Sequence, residues 1–438
     1  MKAGSQRAPR LAAKDRRAQL IDCAHAELTA AGFGAVTIEA IARRAGVTRP
    51  VIYDLFGDLD SLLLAVLERA AETVLATLGG VFATEPGDTP PGTFLIDSAA
   101  TFLQAVRADP GSWRLVLWPP PGSPPELERR ITAGREQITL ELDKLLGWAL
   151  GASGGPSDVD VELIARVAEA IGEDAARLTL AHPRRFGADR LTESLRDLAL
   201  LLTSAPRGSV PAAPTIAPIP PPVAPSATPD VLASQTAQTK ARVPQSERRE
   251  QLLDVTLELL AEEGFGALSI EAIARRAGVN RVVVYRSFAN LPELLTALME
   301  REDQRVRETL YGLLPQAPVD QSPAVVMYGA LAFLLRAVCE RPATWRLALS
   351  RPESAPRALQ KIVNARRAEL AQRIEALVRY ALYDLRPQAA DEEIEAIARM
   401  LLTIGEEQGR LALERTDFPP SRLLESSWRL LAMIRMPA

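Results

Sequence analysis

The sequence predicts an all-α protein made of two copies of one helical unit. Apolar residues recur three and four positions apart through most of the 438-residue chain, and no alternating pattern of strand length appears. The second half also repeats the first at an offset of 232 residues. Each copy is predicted to contain about nine helices, which in the first copy fall near 13–31, 38–45, 49–55, 59–80, 92–108, 110–117, 124–150, 158–181 and 188–203.

The repeat is a duplication of a whole unit. Two stretches of 25 residues, beginning at Gly32 and Gly264, share 18 identities, ten of them consecutive. Trp113 and Trp345 keep the same offset far beyond this stretch. A solenoid would require a period of about 20 to 50 residues, so the pattern indicates two large domains.

The stretch between the copies is rich in proline, alanine, serine and threonine and has little to bury. We predict a disordered or polyproline-like linker there. The predicted domains are 1–58, a basic arm with a first helix-turn-helix; 59–203, a first larger helical domain; 204–246, the linker; 247–290, a second helix-turn-helix; and 291–438, a second larger helical domain.

The overall composition restricts the function classes. The net charge is -4, so contact with nucleic acid requires local basic patches. The two cysteines, Cys23 and Cys339, lie far apart and favour reduced thiols over a disulfide or a metal site. We expect a cytoplasmic protein without membrane contact, because no apolar run reaches the roughly 18 residues of a membrane span.

Each copy carries the pattern of a helix-turn-helix. Thr37 and Ser269 are suited to cap the second helix of their copies, and Gly46 and Gly278 follow its last buried position. Only three residues then separate that helix from the next capping residue. The second helix of such a pair enters the major groove of DNA.

The third helix of each copy is the predicted recognition helix. Ile52 and Phe56 lie four apart and should anchor its back. Arginine on the outer face can pair with guanine, asparagine with adenine, and tyrosine with phosphate. The predicted DNA contacts are Thr37, Thr48, Arg49, Pro50 and Tyr53 in the first copy, and Ser269, Asn280, Arg281, Val282, Tyr285 and Arg286 in the second.

A basic stretch precedes each helix-turn-helix. Residues 1–17 hold six basic side chains against one acidic, and residues 240–249 hold four against one. Such arms can reach phosphates or the minor groove, and a solvated run of charge is the alternative. Arg16, Arg17, Arg248 and Arg249 are therefore added to the predicted DNA contacts.

The order of a basic arm, GF, T-I-x-x-I-A-x-x-A-G-V, T-R, Y and F resembles the TetR family of one-component regulators, over residues 15–64 and 247–296. The resemblance implies a three-helix DNA-binding domain and a larger helical domain that dimerises through its last two helices. It also implies a small-molecule pocket among the middle helices, whose occupation releases DNA. Candidate pocket residues are Phe102, Trp113, Trp118, Phe333 and Trp345, with core packing as the alternative.

Two positions depart from the family pattern. Members often carry a lysine that opens the fourth helix, but the matching stretches here begin DLD at Asp58 and NLP at Asn290. Asp54 also stands where the second copy has Arg286, which places a negative charge towards the duplex. The first copy is therefore expected to bind DNA more weakly or to read a different half-site.

These patterns predict a ligand-responsive transcriptional repressor that binds double-stranded DNA as a single-chain pseudo-dimer. The predicted interface pairs 158–181 and 188–203 with 391–414 and 421–435, and unequal recognition helices predict an imperfect palindrome. The alternative is a ligand- or protein-binding scaffold with degenerate DNA-binding heads. No catalytic constellation, cofactor motif or metal-ligand spacing stands out, so neither an enzyme nor a cofactor or metal is predicted.

Overall fold

A computed structural model describes residues 12–31, 36–119, 125–153, 159–203, 211–222, 244–311, 322–350, 357–382 and 388–433. Within these ranges the chain forms eighteen α-helices, a three-residue 3-10 helix at Phe265–Ala267 and no strand, which confirms the all-α class. Outside the described residues lie 1–11 of the first predicted arm, 32–35, and 204–210 and 223–243 of the predicted linker.

The nine described helices of the first unit closely follow the predicted ones. They are α1 (Ala13–Ala31), α2 (Ile38–Ala45), α3 (Arg49–Phe56), α4 (Leu59–Phe82), α5 (Pro91–Ala108), α6 (Pro110–Leu117), α7 (Pro125–Ala152), α8 (Val161–Ala181) and α9 (Ala188–Thr203).

The second unit repeats this order in its nine described α-helices. They are α10 (Gln245–Glu263), α11 (Ile270–Arg276), α12 (Arg281–Ser287), α13 (Leu291–Tyr311), α14 (Pro323–Glu340), α15 (Pro342–Ala348), α16 (Arg357–Leu382), α17 (Asp391–Glu414) and α18 (Pro420–Met433).

The first four helices of each unit share one small core, which we call the head. Its central side chains have no exposed surface, and each is worth about 1.5–3 kcal/mol of burial. They occupy equivalent positions in the two heads: Leu20, Ile41, Ile52 and Leu62 in the first, and Leu252, Ile273, Val284 and Leu294 in the second.

The remaining helices form two bodies that pack against each other. Helices α8 and α9 of the first body contact α17, and α9 also contacts α18. Leu163 of α8 belongs to the core of the second body, while Ala396 and Met400 of α17 belong to that of the first. The two units are therefore joined by shared apolar cores.

Contacts across this interface are reciprocal. The guanidinium of Arg166 lies 5.6 Å from the ring centre of Phe418, and that of Arg399 lies 5.4 Å from the ring centre of Phe186. The two arginines are sequence equivalents, as are the two phenylalanines. Such an exchange, in which position i contacts j and j contacts i, is the property of a twofold interface.

Residues 211–222 of the predicted linker lie against the second body. Ile216 and Ile219 pack on its core, and the segment adopts no helix or strand. The expectation of disorder is wrong for these twelve residues, because the segment has two large apolar side chains to bury. The polyproline-like alternative fits them better.

One helix in the described part of the chain, α14, is long and apolar enough to cross a membrane by length and composition. In the structure its Leu331, Leu335 and Val338 are buried in the core of the second body, and the helix contacts α17 and α18.

Candidate DNA interface and internal cavity

Both heads form a helix-turn-helix whose ends are fixed by capping. The Thr37 hydroxyl accepts a hydrogen bond from the Ala40 backbone N–H at 3.2 Å, and Ser269 accepts from Ala272 at 3.1 Å. Gly46 and Gly278 turn the chain with φ values of 65° and 64°, a region that costs little only for glycine. Thr37 and Ser269 therefore have a structural function besides the predicted DNA contact.

The outer face of each recognition helix carries side chains that take no part in the head core. Tyr53 and Tyr285, at equivalent positions, are 49% and 53% exposed, and Val282 is 55% exposed. Large exposed side chains at matching positions indicate a contact surface, because they contribute little to folding. Thr48, Arg49, Pro50, Asp54, Asn280, Arg281 and Arg286 are exposed on the same helices or at their caps.

The arginines at the start of the two recognition helices each form an exposed ion pair. Arg49 lies 2.8 Å from Glu39 of α2, and Arg281 lies 2.5 Å from Glu271 of α11. Exposed pairs of this kind are worth about 0–1 kcal/mol. Both guanidinium groups can therefore exchange the carboxylate for a base edge or a phosphate at little cost.

Asn280 is occupied as a helix cap. Its Oδ1 accepts a hydrogen bond from the Val282 backbone N–H at 3.1 Å. Reading adenine takes both the oxygen and the nitrogen of an asparagine amide, so this conformation does not present the predicted contact. The equivalent Thr48 makes no capping hydrogen bond, which leaves its hydroxyl available.

Arg17 and Arg249 lie on the first helix of each head and bind the end of the recognition helix. Arg17 donates to the Leu55 carbonyl at 3.0 Å and lies 4.2 Å from the Phe56 ring centre. Arg249 donates to the Ser287 carbonyl at 2.7 Å and lies 4.1 Å from the ring of Phe288. Arg17 and Arg249 were predicted only as DNA contacts of the basic arms. The sequence spacing does not show that they reach the end of the recognition helix.

Their neighbours Arg16 and Arg248 remain closer to the predicted role. Each donates to a glutamine of its own helix, to Gln19 at 2.6 Å and to Gln251 at 2.5 Å. These are local bonds between side chains three residues apart, so neither arginine joins the helix to the rest of the head.

Sequence reasoning missed Arg43 and Arg275. Each lies four residues after the glutamate that binds the recognition-helix arginine, which places both on the same face of their helix. They are exposed and have no ion-pair partner among the described residues, whereas the following Arg44 and Arg276 are paired with Glu27 and Glu262. The signal that could have identified them is that both copies have arginine at this position, near the arginine that begins the recognition helix.

Capping accounts for the missing lysine at the start of the fourth helix. Asp58 accepts from the Ser61 N–H at 2.7 Å, and this hydrogen bond lowers the pKa of its carboxyl. Asn290 accepts from the Glu293 N–H at 2.9 Å in the second head. Both positions carry good N-cap residues, so the local choice favours helix initiation over a cation.

A cavity of about 2190 Å³ runs through both bodies and crosses their interface. Its lining is mainly apolar and includes Phe102, Trp113 and Trp345 of the predicted pocket residues. Phe102 and Trp113 meet edge to face at 5.4 Å. Several charged residues also line it, and two of them, Arg135 and Glu173, are paired with each other at 2.6 Å. The space therefore suits an apolar molecule.

Two predicted pocket residues lie elsewhere. Phe333 is 40% exposed, because α14 turns Leu331 and Leu335 inward and Phe333 falls on the opposite face. Its neighbour Leu334, the sequence equivalent of Phe102, lines the cavity instead. Trp118 is the C-cap residue that follows α6, and it packs against the core of the first body. Neither Phe333 nor Trp118 lines this cavity, and the position of Trp118 fits the alternative of core packing.

The two cysteines are free thiols. Cys339 is buried, and burial raises the pKa of its thiol to about 11. A thiol with so high a pKa is protonated at neutral pH and poorly reactive.

A known family matches both heads, and individual regulators match parts of the chain. The family described as "Bacterial regulatory proteins, tetR family" matches residues 20–66 and 252–298. The HTH-type transcriptional activator FasR of Mycolicibacterium smegmatis is 26% identical over 190 residues, covering 43% of this chain and 84% of that protein. The HTH-type transcriptional repressor KstR of Rhodococcus jostii is 39% identical over 62 residues, which span 14% of this chain and 29% of KstR.

A solved structure also resembles the chain. The transcriptional regulator of the TetR/AcrR family from Thermobifida fusca is 25% identical, covers 42% of this chain and 97% of its own, and has a TM-score of 0.34. The family pattern occurs twice, once in each head. The chain therefore carries two TetR-family DNA-binding domains in tandem, one in each head.

Proposed function

We propose that this protein is a ligand-responsive repressor that binds its DNA operator as a single-chain pseudo-dimer. The observation that carries the proposal is the reciprocal contact of Arg166 with Phe418 and of Arg399 with Phe186. Each chain has two recognition helices because the unit is duplicated. A twofold arrangement of the bodies relates these two helices, as a site with two half-sites requires. In this proposal residues 1–58 and 247–290 are the DNA-binding domains, and the protein acts in the cytoplasm.

The two heads are proposed to read unequal half-sites. Arg49, Tyr53 and Thr48 contact DNA from the first head, and Arg281, Tyr285 and Val282 from the second. Arg286 adds a cation to the second head where the first has Asp54. The preferred operator is then an imperfect palindrome with the stronger half-site under the second head, since phosphate affinity rises with positive charge.

Helix α4 supports a route from effector to DNA. Its start packs in the head core through Leu62 and Leu63, while its later residues Val74 and Leu78 line the cavity. One continuous helix of 24 residues thus joins the two sites. An effector that favours a different position of α4 shifts the head and lowers the affinity for DNA.

The effector is proposed to be a predominantly apolar small molecule. The cavity lining is mainly aliphatic and aromatic, and Arg135 within it is already neutralised by Glu173. Burying an anion there would break this pair, whereas an apolar ligand leaves it intact.

The recognition-helix arginines provide the test of function. Replacing both Arg49 and Arg281 by alanine should lower affinity for selected operator DNA by at least about 30-fold, from about 1–3 kcal/mol for each contact. Arg379→Ala is the matched control, since that arginine is also exposed and paired, with Asp391 at 2.8 Å, but lies on a body helix. Unchanged binding by the double variant would favour the alternative, a ligand- or protein-binding scaffold with degenerate heads. Asp54 favours that alternative, because it places a negative charge on the first recognition helix.

A further inference from the structure

The segment Pro211–Pro222 accepts hydrogen bonds from two side chains of the second unit. The carbonyl of Pro211 accepts a hydrogen bond from the indole Nε1–H of Trp428 at 2.8 Å. The carbonyl of Ala217 accepts one from the Arg336 guanidinium at 2.7 Å. Two side-chain donors, on α18 and α14, thus hold the backbone of a segment that has no secondary structure of its own.

The apolar side chains of the segment follow a regular spacing. Ile216, Ile219 and Pro222 lie three residues apart and are half-buried, while the residues between them are exposed; Pro214, before them, is half-buried as well. A polyproline helix has three residues per turn, so these three side chains form one face. Ile216 and Ile219 pack against the core cluster that contains Tyr328 and Trp428.

The residues that hold the segment are absent from the first unit. Trp428 corresponds to Arg196, Arg336 to Gln104, and Tyr328 to Ile96 in the aligned sequences. The rings of Tyr328 and Trp428 meet edge to face, with their centres 5.1 Å apart. Both residues line the cavity together with residues 213–219 of the segment. The duplicated units have therefore diverged at the positions that contact the segment.

We propose that Pro211–Pro222 is a built-in peptide ligand of the second unit. It occupies a groove between α14 and α18 that is specific for an apolar polyproline helix and forms the wall of the cavity on that side. Because the segment is tethered, its effective concentration at the groove is on the order of millimolar, and the groove stays filled. The part of the cavity in the first unit, which no equivalent segment covers in the described residues, is left for the effector.

The groove can be tested with a labelled peptide and the full-length chain. In one variant, residues 211–222 are replaced by twelve residues of glycine and serine, and a fluorescein-labelled peptide of sequence 211–222 is titrated by fluorescence anisotropy. We expect saturable binding to this variant and an apparent affinity at least about tenfold weaker for the unmodified chain, whose own segment competes. A second variant, I216S/I219S in the full chain, should also open the groove to the labelled peptide. Both variants leave every helix intact.

Two controls establish which contacts hold the peptide. The substitution R336Q, added to the glycine–serine variant, introduces the residue of the first unit and should weaken peptide binding by about tenfold, since it removes a charge-assisted hydrogen bond. A labelled peptide with serine at both isoleucine positions should not bind. Equal peptide affinity for the unmodified chain and the glycine–serine variant, or no binding to that variant, would overturn the proposal. Neither result depends on DNA binding.

Discussion

Arg367 of α16 in the second unit binds Asp174 of α8 in the first, with Nη1 and Oδ1 2.9 Å apart. Glu406 lies 3.1 Å from the same guanidinium and belongs to the second unit. Burial lowers the pKa of Arg367, but the two carboxylates outweigh burial, and the net direction is upward. Arg367 therefore stays charged, and one of the two carboxylates that neutralise it, Asp174, belongs to the first unit.

Removing that partner should destabilise the whole molecule. We expect Asp174→Ala to lower the free energy of unfolding by about 3 kcal/mol, because it leaves a buried cation with one carboxylate in place of two. Urea unfolding followed by circular dichroism measures the change. Glu141→Ala is the control, since it removes an exposed pair with Lys144 and should cost no more than about 0.5 kcal/mol. Equal effects of the two substitutions would contradict the role of the inter-unit pair.

Acid should weaken the same interface through Asp160. Burial raises the pKa of this carboxyl, but hydrogen bonds from Arg422, Leu163 and Ser426 outweigh burial, so that the pKa lies below its ordinary value of 3.8. A depressed folded-state pKa adds stability that is present above about pH 4 and is lost as pH falls through the folded value. Asp160→Asn should be less stable at pH 7 and lose less stability between pH 5 and 2. A parallel pH profile for the variant and the parent chain would exclude this contribution.

The charge difference between the heads should control their relative affinity. Asp54→Asn removes a negative charge from the first recognition helix and should strengthen operator binding about fivefold, corresponding to about 1 kcal/mol at close range. Arg286→Asp should weaken binding at least as much, since it both removes a cation and adds an anion. Fluorescence anisotropy at fixed salt measures both. If Asp54→Asn left binding unchanged, Asp54 would not face the duplex.

Two adjacent arginines in the second head should respond differently to salt. Arg249→Ala removes the bond to the Ser287 carbonyl and the contact with Phe288, so it should destabilise the head by about 1–2 kcal/mol. It should weaken DNA binding without changing the dependence of affinity on salt. Arg248→Ala should lower the slope of log affinity against log salt by about one, as expected for a lost phosphate contact. A slope change for Arg249→Ala and none for Arg248→Ala would exchange the two roles.

The helices and heads were predictable because their determinants are local. Capping residues such as Thr37 and glycines such as Gly46 mark helix ends in the sequence, and the repeat supplies a second example of each signal. Apolar spacing likewise predicted that Ile52 would be buried and Tyr53 exposed.

Contacts between distant segments were less predictable. Local spacing does not predict that Trp428 binds the linker. It also does not predict that Arg249 binds the end of its recognition helix. The aromatic side chain of Phe333 suggested a pocket residue, whereas the helical period of Leu331, Leu335 and Val338 puts Phe333 on the outer face of α14.

The central claim is that one chain occupies both halves of one operator, and it is tested most directly by selecting binding sites from random DNA with the purified full-length protein. The complex with the selected site is then weighed by light scattering at physiological salt. We predict an imperfect palindrome with unequal half-sites about one DNA turn apart, roughly 34 Å, bound by a single chain. Recovery of a symmetric site bound by two chains, or of sequence-blind binding that vanishes with salt, would contradict the account.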